Sequence, residues 1–159
     1  MKQSTLSKWL KLILAGLGVC GIIIYAVVIP MLAEEMVLKY PEFSSWKWPW
    51  LILIWVTALP CYAALVLGWK IAANIGADRS FSLANAALLK WVSILAAADS
   101  ALFFGGNLVY LLLNMNHPSI VLFSLLVVFL GVAISVASAA LSHLVRKAAE
   151  LQEQSDLTI

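Results

Sequence analysis

One aspartate, Asp99, has the clearest capacity for chemistry in this sequence. It lies deep in an apolar stretch, and no Lys, Arg, Asp or Glu follows it before Arg146. Counting the helical rise from the chain breaks on either side, we expect Tyr62 and Ser135 to lie at a similar depth. These three side chains form a candidate polar site, in which the carboxyl group could relay a proton or a cation, or bind a cationic ligand.

Asp99 also has a structural interpretation. A charged carboxylate at the centre of a membrane helix costs roughly 2.5–3.5 kcal/mol on insertion scales. A neutral carboxylic acid that hydrogen-bonds a neighbouring helix would avoid this cost and fix the packing. Proton relays use chains of ionisable groups, and Asp99 is the only Asp, Glu, Lys or Arg well inside an apolar stretch, which favours the structural interpretation.

No enzyme signature accompanies the aspartate. The sequence has no HExxH, no Gly-x-Ser-x-Gly and no Gly-rich phosphate loop. His117 and His143 lie too far apart to share a metal, and Cys20 and Cys61 lie in apolar runs where small buried hydrophobes are expected. We therefore expect no enzyme, no catalytic residue, no cofactor and no metal site. No basic patch suits direct binding of nucleic acid.

The elements that must position Asp99 are membrane-spanning helices. Only 11% of the 159 residues are charged and 64% are hydrophobic, whereas a soluble domain carries about 25% charged residues. A helix needs roughly 20 apolar residues to cross a bilayer. Four segments are long and apolar enough, near residues 9–32, 50–73, 83–113 and 119–144. They predict one all-α membrane domain over residues 1–159. Its expected architecture is an integral membrane four-helix bundle with short loops.

The ends of the spans carry local signals. Pro30 lies in the last predicted turn of the first span, and Pro60 lies near the centre of the second, where a bend is expected. Gly76 is typical of a helix end and Ser82 of a helix N-cap. Residues 145–159 form a tail, into which the fourth helix is expected to continue because its apolar residues recur at steps of three and four.

The positive residues predict the orientation. Eight of the ten Lys and Arg residues lie on the side that carries the chain ends, and only Lys39 and Lys47 lie on the other side. The positive-inside rule then places both termini in the cytoplasm, together with the extension of the fourth helix. Tryptophans fall near both predicted interfaces, as membrane anchors do.

Three segments carry a family resemblance: residues 57–65, the Phe81-Ser82-x-x-Asn85 turn and the Asp156-Leu157-Thr158-Ile159 ending. They resemble the YoaS-like family of small bacterial four-helix membrane proteins of unknown function. The resemblance implies a location in the bacterial inner membrane and carries over no catalytic residue. Because family members often neighbour small helix-turn-helix regulators, it also implies a cytoplasmic partner of that kind.

Two functions remain open. The first is a non-enzymatic regulator or sensor that binds a cytoplasmic partner, such as a small helix-turn-helix transcription regulator. Its candidate docking residues are Phe81, Ser82, Asn85, Asp156, Leu157, Thr158 and Ile159. The alternative is a small ion-coupled transporter or ligand-binding membrane protein that uses Asp99, although no inverted repeat or evident broken helix supports a transporter.

Two further partners are expected. The lipid bilayer surrounds the spans. A second copy of the chain could pack on the small-residue faces formed by Gly105 and Gly106 and by Ser135, Ser138 and Ser142, which otherwise serve packing within one chain.

Overall fold

The computed structural model describes residues 3–156, and every regular element in this part of the chain is helical. Five α-helices follow one another: α1 (Gln3–Ile23), α2 (Ile29–Lys39), α3 (Lys47–Gly76), α4 (Leu83–Leu112) and α5 (Pro118–Asp156). A π-helical turn, Ile24–Val28, joins α1 to α2, and a 3-10 helix, Pro41–Trp46, leads from α2 into α3. Within residues 3–156, four helical units are long and apolar enough to cross a membrane, so the all-α class is confirmed and the number of candidate spans agrees with the prediction.

The helices pack in chain order. α1 packs on α3, α3 packs on α4, and α4 packs most extensively on α5. Within residues 3–156, α1 does not pack against α4 or α5. The predicted bundle is therefore open along one side, between the first and the last spanning helices. The spans are apolar all round, so their sequences do not specify which helix faces close the bundle.

Hydrogen bonds from small side chains to backbone carbonyls tie neighbouring helices together. Ser7 Oγ on α1 donates to the carbonyl of Ala72 on α3 at 2.6 Å, and Ser142 Oγ on α5 donates to the carbonyl of Ala86 on α4 at 2.7 Å. In membranes such bonds contribute modestly, on the order of 0.6 kcal/mol each. They nevertheless fix which faces meet, because an unpaired hydroxyl between packed helices would be unfavourable.

The predicted helix ends are confirmed at the α3–α4 turn. α3 ends at Gly76, and the turn is closed by Asp78, whose φ of 62° is left-handed. Ser82 is the N-cap of α4, and its side chain accepts a hydrogen bond from the backbone N–H of Asn85 at 3.2 Å. Asn114, with a φ of 55°, makes the other turn, between α4 and α5.

The first span does not end after Pro30 as expected. The helix continues through the proline to Lys39, and the 3-10 helix then replaces most of the expected loop. The reason is the π-helical turn, in which the N–H of Ile29 bonds to the carbonyl of Ile24, five residues earlier. This wider turn lies directly before Pro30, which has no N–H to donate, so the helix passes the proline without ending.

α5 continues past the predicted membrane boundary, as expected from its pattern. Its 39 residues correspond to roughly 58 Å of helix, whereas a bilayer core is about 30 Å thick. A substantial part of α5 must therefore lie outside the hydrocarbon region. We call the end of the molecule with the α3–α4 turn and the end of α5 the termini end. We call the opposite end, with the 3-10 helix and the α4–α5 turn, the loop end.

Candidate functional site

Asp99 lies on α4 and lines a cavity of about 780 Å³ between the four spanning helices. Its Oδ2 accepts a hydrogen bond from Cys61 Sγ on α3 at 3.4 Å. Its Oδ1 is buried and has no hydrogen-bond partner among the described residues. Buried polar atoms are normally paired, and an orphaned one calls for a specific explanation. Here the orphaned oxygen belongs to a group that lines an internal space.

The cavity is aromatic and apolar apart from a few polar groups. Asp99 is the one Asp, Glu, Lys or Arg among the side chains that line it within residues 3–156. Its aromatic lining consists of Tyr25, Trp50, Tyr62 and Phe103. A volume of this size is within the usual range of small-molecule sites, which combine apolar walls with a few placed polar groups.

A short chain of polar side chains joins three helical segments at the carboxyl group. Tyr25, in the π-helical turn, lines the same cavity as Thr57 and Cys61 on α3. Cys61 in turn donates to Asp99 on α4, and Thr57 donates to the carbonyl of Ile54 at 2.7 Å. The carboxyl group is thus held through Oδ2, while Oδ1 is buried without a hydrogen-bond partner in the described part of the chain.

Both helices that face Asp99 from across the cavity are irregular. The π-helical turn carries Tyr25, whose carbonyl accepts a hydrogen bond from Trp55 Nε1 at 3.0 Å. Pro60 lies inside α3 directly before Cys61 and leaves one carbonyl of that helix without its usual donor. π-helical turns occur often at functional sites, and spanning helices are commonly interrupted where membrane proteins bind substrates.

The structure brings two of the three predicted polar residues to one cavity. Tyr62 lines the cavity with Asp99, but its hydroxyl donates to the carbonyl of Gly18 on α1 at 2.9 Å. Ser135 is not among the lining residues and instead donates to the carbonyl of Ser93 at 2.9 Å. Tyr62 and Asp99 thus share a cavity that Ser135 does not line, because depth along a helix does not determine the face on which a side chain lies.

Cys61 and Tyr25 are the site residues that sequence reasoning missed. Cys61 was interpreted as a small buried hydrophobe, whereas the structure leaves it exposed and in contact with the carboxyl group. The usable signal was Pro60, because a helix irregularity next to a polar side chain marks a position where backbone and side chain depart from simple packing. No pattern in the sequence predicts the π-helical turn that carries Tyr25.

The candidate docking residues have different surroundings. Phe81 is 60% exposed, while Ser82 caps α4 and Asn85 is only 2% exposed. Asn85 does not present its side chain to a partner as expected, because its amide donates to the carbonyls of Arg79 and Ser80 and holds the turn. Asp156 ends α5, and Leu157, Thr158 and Ile159 lie outside the described residues.

Metal binding has no support in the described part of the chain. No three His, Cys, Asp or Glu side chains come close enough there to hold an ion. Cys61 and Asp99 supply one sulfur and one carboxylate, which is fewer than the four ligands of a structural zinc site.

Comparison with known proteins establishes the family. A family model described as a protein of unknown function, DUF2975, matches residues 31–159. The uncharacterized membrane protein YoaS of Bacillus subtilis (strain 168) is 27% identical over 160 residues, with 99% of each chain covered. No solved structure matches. The resemblance to the YoaS-like family is confirmed, and four apolar helices agree with a membrane protein that crosses the bilayer several times. The chain belongs to the DUF2975 family of proteins of unknown function.

Proposed function

We propose that this chain is a non-enzymatic membrane protein that binds a lipophilic ammonium cation in the cavity at Asp99. The observation that carries the proposal is the carboxyl group of Asp99, which lines a cavity shared by all four spanning helices and whose buried Oδ1 has no hydrogen-bond partner among the described residues. A protonated amine or quaternary ammonium would pair with this carboxylate. The apolar body of the ligand would fill the remaining space.

The lining of the cavity favours a cation over an anion. Asp99 is the one Asp, Glu, Lys or Arg that lines it in the described part of the chain, and four aromatic side chains line the same space. Aromatic faces attract cations, and the attraction strengthens when water is excluded. An unpaired carboxylate in a medium of low dielectric constant also gains more from an opposite charge than it would in water. The aromatic rings and the carboxylate would both stabilise the positive charge of the ligand. A neutral or anionic ligand would gain from neither interaction.

The test is a thermal-unfolding measurement on the purified chain in lipid nanodiscs, with tetraphenylphosphonium as the probe cation. A ligand at 100 times its dissociation constant stabilises the folded state by about 2.7 kcal/mol. For a chain of this size we expect a rise in Tm on the order of 5 °C. Asp99→Asn removes the negative charge and should abolish the rise.

The chain offers a matched control. Asp78→Asn makes the same chemical change in the α3–α4 turn, outside the cavity, and Asn tolerates the left-handed φ of 62° at this position. We expect Asp78→Asn to keep the full response to tetraphenylphosphonium. If Asp99→Asn and Asp78→Asn respond alike, the cation binds elsewhere and the proposal is wrong.

A second candidate function is supported by the extension of α5. The helix continues to Asp156, and Leu144 and Leu151 remain 60% and 58% exposed along it. We propose that this extension binds a cytoplasmic regulator, such as a small helix-turn-helix protein, in a bacterial inner membrane protein whose two termini are cytoplasmic. The excess of positive residues at the termini end supports this orientation.

Deletion of residues 151–159, which removes the exposed Leu151, tests the second candidate. We expect the shortened chain to insert into native membranes and to keep its response to tetraphenylphosphonium, because the cavity is remote from the deletion. Co-purification of a helix-turn-helix protein, identified by mass spectrometry, should be lost. Recovery of the same protein with the shortened chain would contradict the role of the extension.

A further inference from the structure

A second cavity, of about 470 Å³, lies at the loop end of the molecule. α2, the 3-10 helix, the start of α3 and the α4–α5 turn contribute to its walls. Ile29, Trp50 and Ile54 line this loop-end pocket and also line the cavity at Asp99. Three shared side chains mean that the two spaces are neighbours with a common wall. From Trp50 to Cys61 the distance along α3 is roughly 16 Å.

We infer that the loop-end pocket is an access subsite, through which a lipophilic ammonium cation reaches Asp99, and that Trp50 limits the passage. This inference rests on the proposed function and adds to it the route that the ligand takes. It also assigns a specificity role to the residues of the common wall, because they set the width of the ligand that can pass.

The loop-end pocket has the chemistry of a resting place for such a cation. Phe43 and Trp46 stack with their ring centroids 4.7 Å apart, and Trp50 adds a third aromatic ring. Lys47 is the one Lys, Arg, Asp or Glu that lines the pocket within the described chain, and it forms an ion pair with Glu34. The pairing offsets the positive charge that would otherwise repel a cation, while the aromatic faces attract it.

Trp50 is held in place as part of the common wall. Its Nε1 donates to the carbonyl of Met115 in the α4–α5 turn at 3.1 Å, and its ring packs edge-on against Tyr110 at 5.1 Å between centroids. The Tyr110 hydroxyl donates to the carbonyl of Pro49 at 2.8 Å. The hydrogen bond and the ring contact hold the indole in one orientation, so its side chain occupies the passage permanently.

The open side between α1 and α5 is the competing route, because these two helices do not pack against each other within residues 3–156. Leu17 on α1 lines the Asp99 cavity there. A ligand dissolved in the bilayer could pass between these helices without meeting Trp50. The experiment must therefore obstruct each route separately.

Cys61 provides a native reporter of arrival, because it donates directly to Asp99. In a Cys20→Ala background it is the one remaining thiol of the chain. We would measure its rate of modification by a methanethiosulfonate that carries a lipophilic tributylammonium group, with the protein in lipid nanodiscs. We expect Ile54→Trp to slow the reaction at least fivefold by filling the passage. Trp50→Ala should accelerate it several-fold by widening the passage.

Two comparisons make the result decisive. Leu59→Trp places the same bulk on an exposed face of α3 outside both cavities and should leave the rate unchanged. Leu17→Trp obstructs the open side between α1 and α5. If Leu17→Trp slows the reaction and Ile54→Trp does not, the ligand passes between the helices and the inference is wrong. If Ile54→Trp fails to fold, an unchanged rate in Trp50→Ala is sufficient to overturn it.

The same samples separate this inference from the function on which it rests. The rise in Tm with tetraphenylphosphonium reports binding at equilibrium, whereas the modification rate reports the route. A native chain that shows the rise in Tm but no effect of Ile54→Trp or Trp50→Ala contradicts the route alone. A native chain without the rise contradicts the proposed function.

Discussion

Asn85 and Asp99 are polar side chains of similar size on the same helix, but their surroundings differ. Asn85 accepts a hydrogen bond from the amide of Asn74 at 2.8 Å and donates to two backbone carbonyls. Asp99 receives one hydrogen bond, from a thiol, and leaves one oxygen without a partner in the described chain. The oxygen and the amide nitrogen of Asn85 are therefore both hydrogen-bonded. In contrast, Asp99 lines a cavity and one of its oxygens has no partner in the described chain.

A prediction at the residue scale concerns the role of Asn85. Asn85→Ala leaves the Asn74 amide and the carbonyls of Arg79 and Ser80 without their partner in a turn where Asn85 is 2% exposed. We expect the free energy of unfolding to fall by about 1–3 kcal/mol, measured as a lower Tm in nanodiscs. Phe81→Ala, at a side chain that is 60% exposed, should change it little.

The opposite pattern would reverse the assignment of these two residues. If Asn85→Ala were neutral for stability but abolished co-purification of a partner, Asn85 would be a docking residue after all. The prediction therefore distinguishes a structural role of Asn85 in the turn from a role in binding a partner.

Sequence reasoning at the residue scale succeeds where a residue type is rare. Asp99 could be found because it is the one carboxylate well inside an apolar stretch. Cys61 is less evident, because a cysteine in an apolar run usually packs as a small hydrophobe and only the neighbouring Pro60 distinguishes its position. Tyr62 and Ser135 show the intermediate case: the helical rise gives their depth, but their partners, Gly18 and Ser93, depend on helix rotation.

At the scale of the elements, glycines set how closely the helices approach. Gly105 and Gly106 are adjacent on α4, and the sequence pattern predicts that they form one small-residue face. In the structure, a methyl group added at Gly106 would meet Leu53 on α3, while one added at Gly105 would meet nothing within 4 Å. Only the packed backbone distinguishes them, because a step of one residue turns a helix by about 100°.

The contact between α4 and α5 gives a prediction at this scale. A methyl group at Gly131 would collide with Ser100 Oγ, which donates to the carbonyl of Ala96 at 2.8 Å. We expect Gly131→Ala to lower the free energy of unfolding by about 1–3 kcal/mol, the usual cost of overpacking. Thermal unfolding in nanodiscs measures it, with Gly105→Ala as the control that should not destabilise.

A second substitution tests the stated cause of that loss. Ser100→Ala removes the colliding oxygen, so the double variant with Gly131→Ala should recover most of the lost stability. If Ser100→Ala fails to rescue Gly131→Ala, the loss of stability does not come from this contact, and the close approach of α4 and α5 at this point is wrong.

The π-helical turn marks the limit of sequence reasoning about elements. Ile24–Val28 reads as an ordinary apolar helical stretch, and Pro30 favours a helix end rather than a continuation. The helix ends at Gly76 and Ser82 could be predicted because glycine and serine have defined chemistry there. The π-helical turn has no such residue preference, so only the structure shows that Tyr25 faces Cys61.

At the scale of the whole molecule, four spans could be read from hydropathy and charge, but their arrangement could not. Each spanning helix is apolar over most of its surface, so the hydrophobic effect does not specify which faces meet. The pairing follows instead from scattered small and polar residues such as Ser7, Ser142 and Gly131. These contacts leave the bundle open between α1 and α5 and enclose a cavity that Asp99 lines.

The measurement that tests this account most directly is equilibrium binding of tetraphenylphosphonium to the chain in nanodiscs, counted per chain. We expect one saturable site in the native chain and in Asp78→Asn, and none above the level of empty nanodiscs in Asp99→Asn. A saturable site that persists in Asp99→Asn would contradict the account, because the cavity would then bind cations without its carboxylate. Absence of a saturable site in the native chain would contradict it as well.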